Sequence, residues 1–198
     1  MVEFAKVQRW GLTMIGETTG QISHLLLGLC AGCLLALAAA MLKAPRPAAR
    51  WTGFAFFLTS FCFSLKLWAD GTGAMPAEIY IVNNLLAWTS CGWFWMMTMA
   101  LFEDRDTFEP WMFAMPAAQF VLGIGNRLPW EAAHPFFWTS SALLQASLAI
   151  LSLSIVVRSW KGDLVEQRRR VRGPFMAVVA LYILSLNGFD VWDMVGEV

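Results

Sequence analysis

The sequence predicts an all-α fold, a polytopic transmembrane helix bundle of about six spans, and two observations carry that expectation. Hydrophobic residues make up 58% of the chain, charged residues 14%, and mean hydropathy is +0.57. Soluble domains run near 45–50% apolar and about 25% charged. The apolar residues are also gathered into stretches of bilayer length. A helix needs roughly 20 of them to cross a hydrocarbon core about 30 Å thick, because backbone polar groups in lipid must be satisfied within the segment. The stretches leave no continuous polar segment long enough to fold separately. A single membrane domain over residues 21–192 follows, preceded by a segment at 1–20 and ended by a short tail at 193–198.

In residues 1–20, Phe4, Val7, Trp10, Leu12, Met14 and Ile15 alternate loosely with Glu3, Lys6, Gln8, Arg9 and Glu17. That pattern suits an amphipathic helix lying among lipid headgroups. The first span is expected from about Ile22 to Leu42 and the second from about Trp51 to Ala69, joined by a basic turn containing Pro45 and Pro47. The third, about Ile81 to Phe102, carries Asn83 and Asn84 near its start. The fourth, about Trp111 to Leu128, is short and interrupted by Pro116, which should kink or tilt it by removing one ladder hydrogen bond. The fifth runs from about Pro135 to Val157 and the sixth from about Pro174 to Phe189. The closing Asp190 to Val198 is too short and too acidic to cross again. No secretory signal is expected, because basic residues follow the first apolar run where a small-residue cleavage site would stand.

Lysines and arginines beside spans are retained on the cytoplasmic side during insertion. Ten lie on one side: Lys43, Arg46, Arg50, Arg105, Arg158, Lys161, Arg168, Arg169, Arg170 and Arg172. Three lie on the other, Lys6, Arg9 and Arg127, while Lys66 sits inside span two. This asymmetry places the N-terminus outside, the turns after spans one, three and five inside, and the C-terminus outside. Lys66 falls near the outer end of its span, where its long stem can carry the ammonium to the interface.

The loop Arg158 to Arg172 is the richest in local signals. Gly162 interrupts the helix leaving span five. Asp163 then suits an N-cap, with Glu166 as its capping-box partner and ahead of Arg169 and Arg170 for helical ion pairing. With Arg168 and Arg172, these residues form a basic motif at the membrane surface, suited to anionic headgroups. Four arginines beside a bilayer need no DNA to explain them, and the zero net charge of the chain gives it no general attraction to nucleic acid.

The run Asp163-Leu-Val-Glu-Gln-Arg-Arg-Arg-Val-Arg172 resembles the loop before the sixth span in the membrane-embedded N-terminal region of a group of AraC-type bacterial transcription regulators. A second stretch, Asn84 through Trp88, Trp93 and Trp95 to Asp104, followed by Phe108-Glu-Pro-Trp111, is similar to that family's third span, its acidic exit and the Pro-Trp opening the fourth. The resemblance covers most of the region after about residue 80; spans one and two match only in hydrophobicity. It implies a sensor-like module of the bacterial inner membrane that acts by binding. The family has seven spans followed by a cytoplasmic helix-turn-helix domain, whereas this chain stops after six with its end expected outside. No DNA-recognition motif occurs in it. Either the chain is a fragment of such a regulator, or it is a relative without the output domain. The second case makes it a stand-alone accessory or structural subunit packed against a larger membrane complex, of respiratory or photosynthetic type.

Chemical motifs are few. Cys30-Ala-Gly-Cys33 has dithiol spacing but lies mid-helix, where nothing stabilises a thiolate, so packing is the preferred reading. Cys62 and Cys91 build no disulfide or metal site. His24 and His134 fall near the outer ends of their spans. Imidazoles there are of the type that ligates haem or a chlorophyll-type pigment, but without a supporting motif they read as interfacial polar residues, and no cofactor is expected. Gly28 and Gly32 form a G-x-x-x-G helix-packing face, whose partner is another span of this chain, the preferred reading, or a different subunit. Several of the eleven tryptophans mark span ends. Trp88, Trp93 and Trp95 lie deeper and form a candidate contact face towards protein, lipid or pigment. No nucleophile elbow, metal-ligand motif, phosphate loop or set of intramembrane carboxylates is present, so catalysis is not expected.

Overall fold

The computed structural model describes residues 24–103, 105–128 and 133–160, and among these it is all-α with no strand. The elements are α1 (His24–Met41), α2 (Pro47–Thr72), α3 (Ala77–Trp88), α4 (Ser90–Phe102), the 3-10 turn η1 (Pro110–Phe113), α5 (Ala114–Gly125) and α6 (His134–Trp160). The expected amphipathic segment at 1–20, the basic motif Asp163 to Arg172, the sixth span and the tail at 193–198 lie outside the described residues.

Helix ends follow local chemistry. α2 starts earlier than its apolar residues alone indicate, because Pro47 at the first helical position has a preset φ and lacks only an N–H that would be unpaired there. It stops at Gly73, whose φ of 64° is left-handed and whose N–H donates to the Ala69 carbonyl at 2.7 Å. α3 and α4 make one run, Ala77–Phe102, tightened at Thr89, whose N–H reaches back three residues to the Leu86 carbonyl at 3.1 Å.

Among the described residues, four helical runs are long and apolar enough to cross a membrane: His24–Met41, Pro47–Asp70, Ala77–Phe102 and His134–Ser159. They point to membrane association. The helix in the expected fourth span is shorter than these runs. Residues 110–125 form a 3-10 turn and then a 12-residue helix, which at 1.5 Å per residue is about 18 Å long. Pro116 does not kink this helix, since it sits third in α5, inside the first turn where no intrahelical N–H is needed. The segment nevertheless runs antiparallel to α4 and α3 over most of their length. Met112 packs with Met99, Gln119 meets Gly92, Gly123 approaches Trp88, and Arg127 lies over Tyr80.

The core centres on α4. Every residue from Phe94 to Ala100 is buried, so α4 is enclosed by neighbours on all sides. One side meets α1, α2 and α6 through Phe94, Met97, Phe56, Phe57, Ala38 and Val156. The other meets η1 and α6 through Trp95, Met96, Met99, Met112 and Leu148. Buried hydroxyls turn back into their own helices: Thr98 donates to the Phe94 carbonyl and Ser152 to the Leu148 carbonyl, each at 2.8 Å. On the outside, Leu143, Ile150 and Val157 stand seven residues apart on α6 and are 64%, 57% and 54% exposed. An apolar stripe of that kind is unfavourable in water and neutral against acyl chains, and these helices are consistent with lipid contact.

Candidate functional site

Alternating helix directions sort the polar residues to the two ends of the bundle. Ala48 and Ala49 of α2 pack with Ala100 and Phe108, which brings the turn carrying Lys43, Arg46 and Arg50 to the same end as Arg105. α6 runs parallel to α4, so Arg158 joins them. At the opposite end, Lys66 pairs with Asp70 at 2.6 Å, the Tyr80 hydroxyl donates to the other Asp70 oxygen at 2.6 Å, and the Arg127 guanidinium lies 4.9 Å from the Tyr80 ring centre. Lys66 therefore reaches the end of its helix, and its charge is met there by an acid one turn on. Asp70 and Tyr80 were not singled out from the sequence. The Lys66 to Asp70 spacing of four residues was the available signal, while the reach to Tyr80 and Arg127 depends on α3 and the end of α5 folding against α2.

Between the ends lies a buried polar seam where α3 passes into α4. The Asn83 Nδ2 donates to the Cys62 carbonyl of α2 at 2.8 Å, and the Trp88 Nε1 donates to the Asn84 Oδ1 at 2.8 Å. The Gly92 N–H donates to the Gln119 Oε1 of α5 at 2.7 Å. Glycine is required at 92, because a Cβ there would stand 2.8 Å from the Pro116 backbone. Gln119 is fully buried, and its Nε2 has no partner among the described residues; the Asn126 side chain, two turns later on the same face, has none either. Asn83 and Asn84 were visible in the sequence as polar residues inside a span. Gln119 was missed, because a lone amide in an apolar run has no motif around it.

At the basic end an apolar cleft of about 500 Å³ opens between the start of α2, the first turn of α4 and the segment before α5. Trp51, Phe54 and Ala55 form one wall, and Trp93, Phe108 and Phe113 the other. The Phe113 ring meets those of Trp93 and Phe108 near edge-on, each with centroids 6.3 Å apart.

The structure separates the tryptophans expected to share a contact face. Trp88 is half-buried against Gly123 and tied to Asn84, Trp95 is buried with its ring 6.3 Å from that of Trp111, and only Trp93 lines the cleft. Trp88 ends α3 while Trp93 and Trp95 lie in α4, so the three meet different neighbours. A Cβ at Gly28 or Gly32 would meet nothing within 4 Å among the described residues. The neighbouring Cys30 and Cys33 are exposed thiols, and Cys62 and Cys91 are buried thiols. His24 and His134 are exposed at the starts of α1 and α6. Among the described residues no group of three or more His, Cys, Asp or Glu is arranged to hold a metal ion. Comparison with known proteins gives no match to a family model, to a curated protein or to a solved structure.

Proposed function

We propose that the chain is a non-catalytic integral membrane module of the bacterial inner membrane, similar in plan to the sensor region of the AraC-type regulators it resembles, and that it acts by binding. In this reading the bundle has six crossings, with the turn at Lys43 to Arg50 and the Arg105 loop in the cytosol and both chain ends outside. The observation that carries it is the sorting of charge. Five basic residues, Lys43, Arg46, Arg50, Arg105 and Arg158, gather at one end, while the apolar stripe on α6 faces outward between the ends. The antiparallel course of residues 110–127 along α4 and α3 supports a fourth crossing, with the 3-10 turn adding length to α5. Binding by shape suits an enclosed polar seam and an aromatic cleft better than it suits chemistry, which needs a nucleophile or a poised acid and base.

Reporter fusions test the arrangement. Enzymes active only in the cytosol should work when fused at Ala44 and Thr107 and fail at Gly73 and Val198; cytosolic activity at Val198 sinks the six-crossing scheme. An open reading frame continuing in frame past Val198 into a further span and a helix-turn-helix would favour a regulator. A second reading, an accessory subunit of a larger membrane complex, is favoured by the Gly28 and Gly32 face of α1, which meets no neighbour among the described residues. Purification in mild detergent separates the two readings, because a subunit brings down a stoichiometric partner. An absorption spectrum of the same sample reads out any haem or pigment held at His24 or His134.

A further inference from the structure

We propose that the aromatic cleft beside the start of α2 binds a hydrophobic organic cation of the quaternary ammonium class, with its charge against the rings and the Asp106 carboxylate. The proposal deepens the binding reading above and rests on it. Its ground is the walls themselves. Five rings line the space, Trp51 and Phe54 from α2 and Trp93, Phe108 and Phe113 from the other side. An aromatic ring carries a negative face, and a cation within about 6 Å of its centre is attracted to it, more so when partly desolvated. The volume, about 500 Å³, falls in the range of small-molecule sites, about 300–1,000 Å³. The cleft follows α2 from Pro47 to Ala55, about 12 Å at 1.5 Å per residue. That length takes an ammonium head and an apolar body.

The polar groups choose the sign of the charge. Among the described residues that line the cleft, Asp106 alone is charged, and no lysine or arginine joins it. Its carboxylate has no ion-pair partner among the described residues, while the neighbouring Arg105 is held by Glu103 at 2.7 Å. The Thr52 hydroxyl is committed to the Ala48 carbonyl of its own helix, 2.7 Å away. An anion in this space would meet ring faces and a carboxylate of its own sign. A neutral hydrocarbon would leave the carboxylate unused. The bases gathered at this end stand outside the walls, where Arg50 donates twice to the Ala44 carbonyl, at 3.0 and 2.9 Å. They act on the cleft only through space, which salt screens, whereas the rings and Asp106 touch the occupant.

The test uses the full chain in nanodiscs of phosphatidylcholine, a lipid without net charge, dialysed to equilibrium against radiolabelled benzyltrimethylammonium, with empty nanodiscs as the blank. Loaded nanodiscs should retain the cation above the blank. Labelled p-toluenesulfonate, an anion of similar size, should stay at the blank. Trp93→Leu keeps the wall apolar but removes a ring, and should weaken binding about tenfold. Asp106→Asn, at an exposed position, should weaken it about fivefold, the upper end for an exposed ion pair. Ala55→Trp, which fills the cleft, should abolish it. Retention of the cation at the blank, preference for the sulfonate, or affinity unchanged in either Trp93→Leu or Asp106→Asn overturns the cation assignment, while a chain held in the nanodisc leaves the membrane reading standing. A chain that is monodisperse without lipid or detergent overturns both.

Discussion

α1 and the α3–α4 run are both apolar and both long enough to span a bilayer, yet among the described residues 61% of the most apolar stretch of Ala77–Phe102 is buried and only 11% of that of His24–Met41. The difference lies in the neighbours. α4 touches α2, α5 and α6, so its burial is protein against protein. α1 is anchored chiefly near its end, where Leu34, Ala38 and Met41 join the core, while Leu25, Leu26 and Leu29 are exposed. Hydrophobicity therefore says which segments avoid water and not which of them hold the fold together. In lipid an outward leucine is neutral, and stability comes from close packing and from hydrogen bonds between helices.

Truncation should expose that contrast most strongly. Phe94 is buried beside Phe56, with ring centroids 5.2 Å apart. Phe94→Ala should lower stability by about 3 kcal/mol, the cost of a large cavity in a packed core, measured by reversible unfolding in mixed micelles. Leu29→Ala on α1 should change it by less than about 0.5 kcal/mol. Equal losses at the two positions would mean that α1 is as enclosed as α4.

The glycines provide the next contrast. Gly92→Ala drives a methyl group to 2.8 Å from the Pro116 backbone, and should cost about 2 kcal/mol through overpacking. Gly28→Ala meets nothing within 4 Å and should leave monomer stability unchanged or slightly raised, because alanine favours the helix. If Gly28→Ala instead destabilises the purified protein as much as Gly92→Ala does, that face is covered by a segment outside the described residues or by a partner.

The same contrast explains what the sequence made legible. The end of α1 and the start of α6 lie within one residue of expectation, because a long apolar run bounded by polar residues leaves little choice of register. The tightening at Thr89 was not visible. Thr89 keeps right-handed helical angles, and the N–H of nearby Gly92 is shared with Gln119, twenty-seven residues away. Pro116 was misplaced because its effect depends on where the helix begins, at Ala114 rather than Trp111. The three tryptophans of the third span could not be assigned to faces, since a helix surrounded on all sides has no amphipathic pattern to read.

Hydrogen bonds across the seam should contribute less than packing. Asn83→Leu removes the bond to the Cys62 carbonyl and should cost about 1 kcal/mol, near the mean for one interhelical hydrogen bond in a membrane protein. Gln119→Leu leaves the Gly92 N–H without its side-chain acceptor but also removes an amide nitrogen that has no described partner. Its loss should therefore be no larger than that of Asn83→Leu in the same unfolding assay. A markedly larger loss would mean that the Nε2 of Gln119 makes a bond that matters.

The smallest effect belongs to the cluster at the end opposite the basic turn. Asp70 holds Lys66 and Tyr80 together, but the Lys66 and Asp70 side chains are 25% and 40% exposed, so water and salt screen the pair. Asp70→Asn keeps a hydrogen-bond acceptor for Tyr80 while removing the charge, and should cost only about 0.5 kcal/mol in low salt. In high salt the difference from the unsubstituted protein should vanish. Tyr80→Phe keeps a ring under Arg127 and removes the hydroxyl alone, so its effect should be insensitive to salt. A loss at Asp70 that persists undiminished in high salt would place that carboxylate in a drier setting than its exposure indicates, and would make this end of the bundle a second packed region comparable to α4.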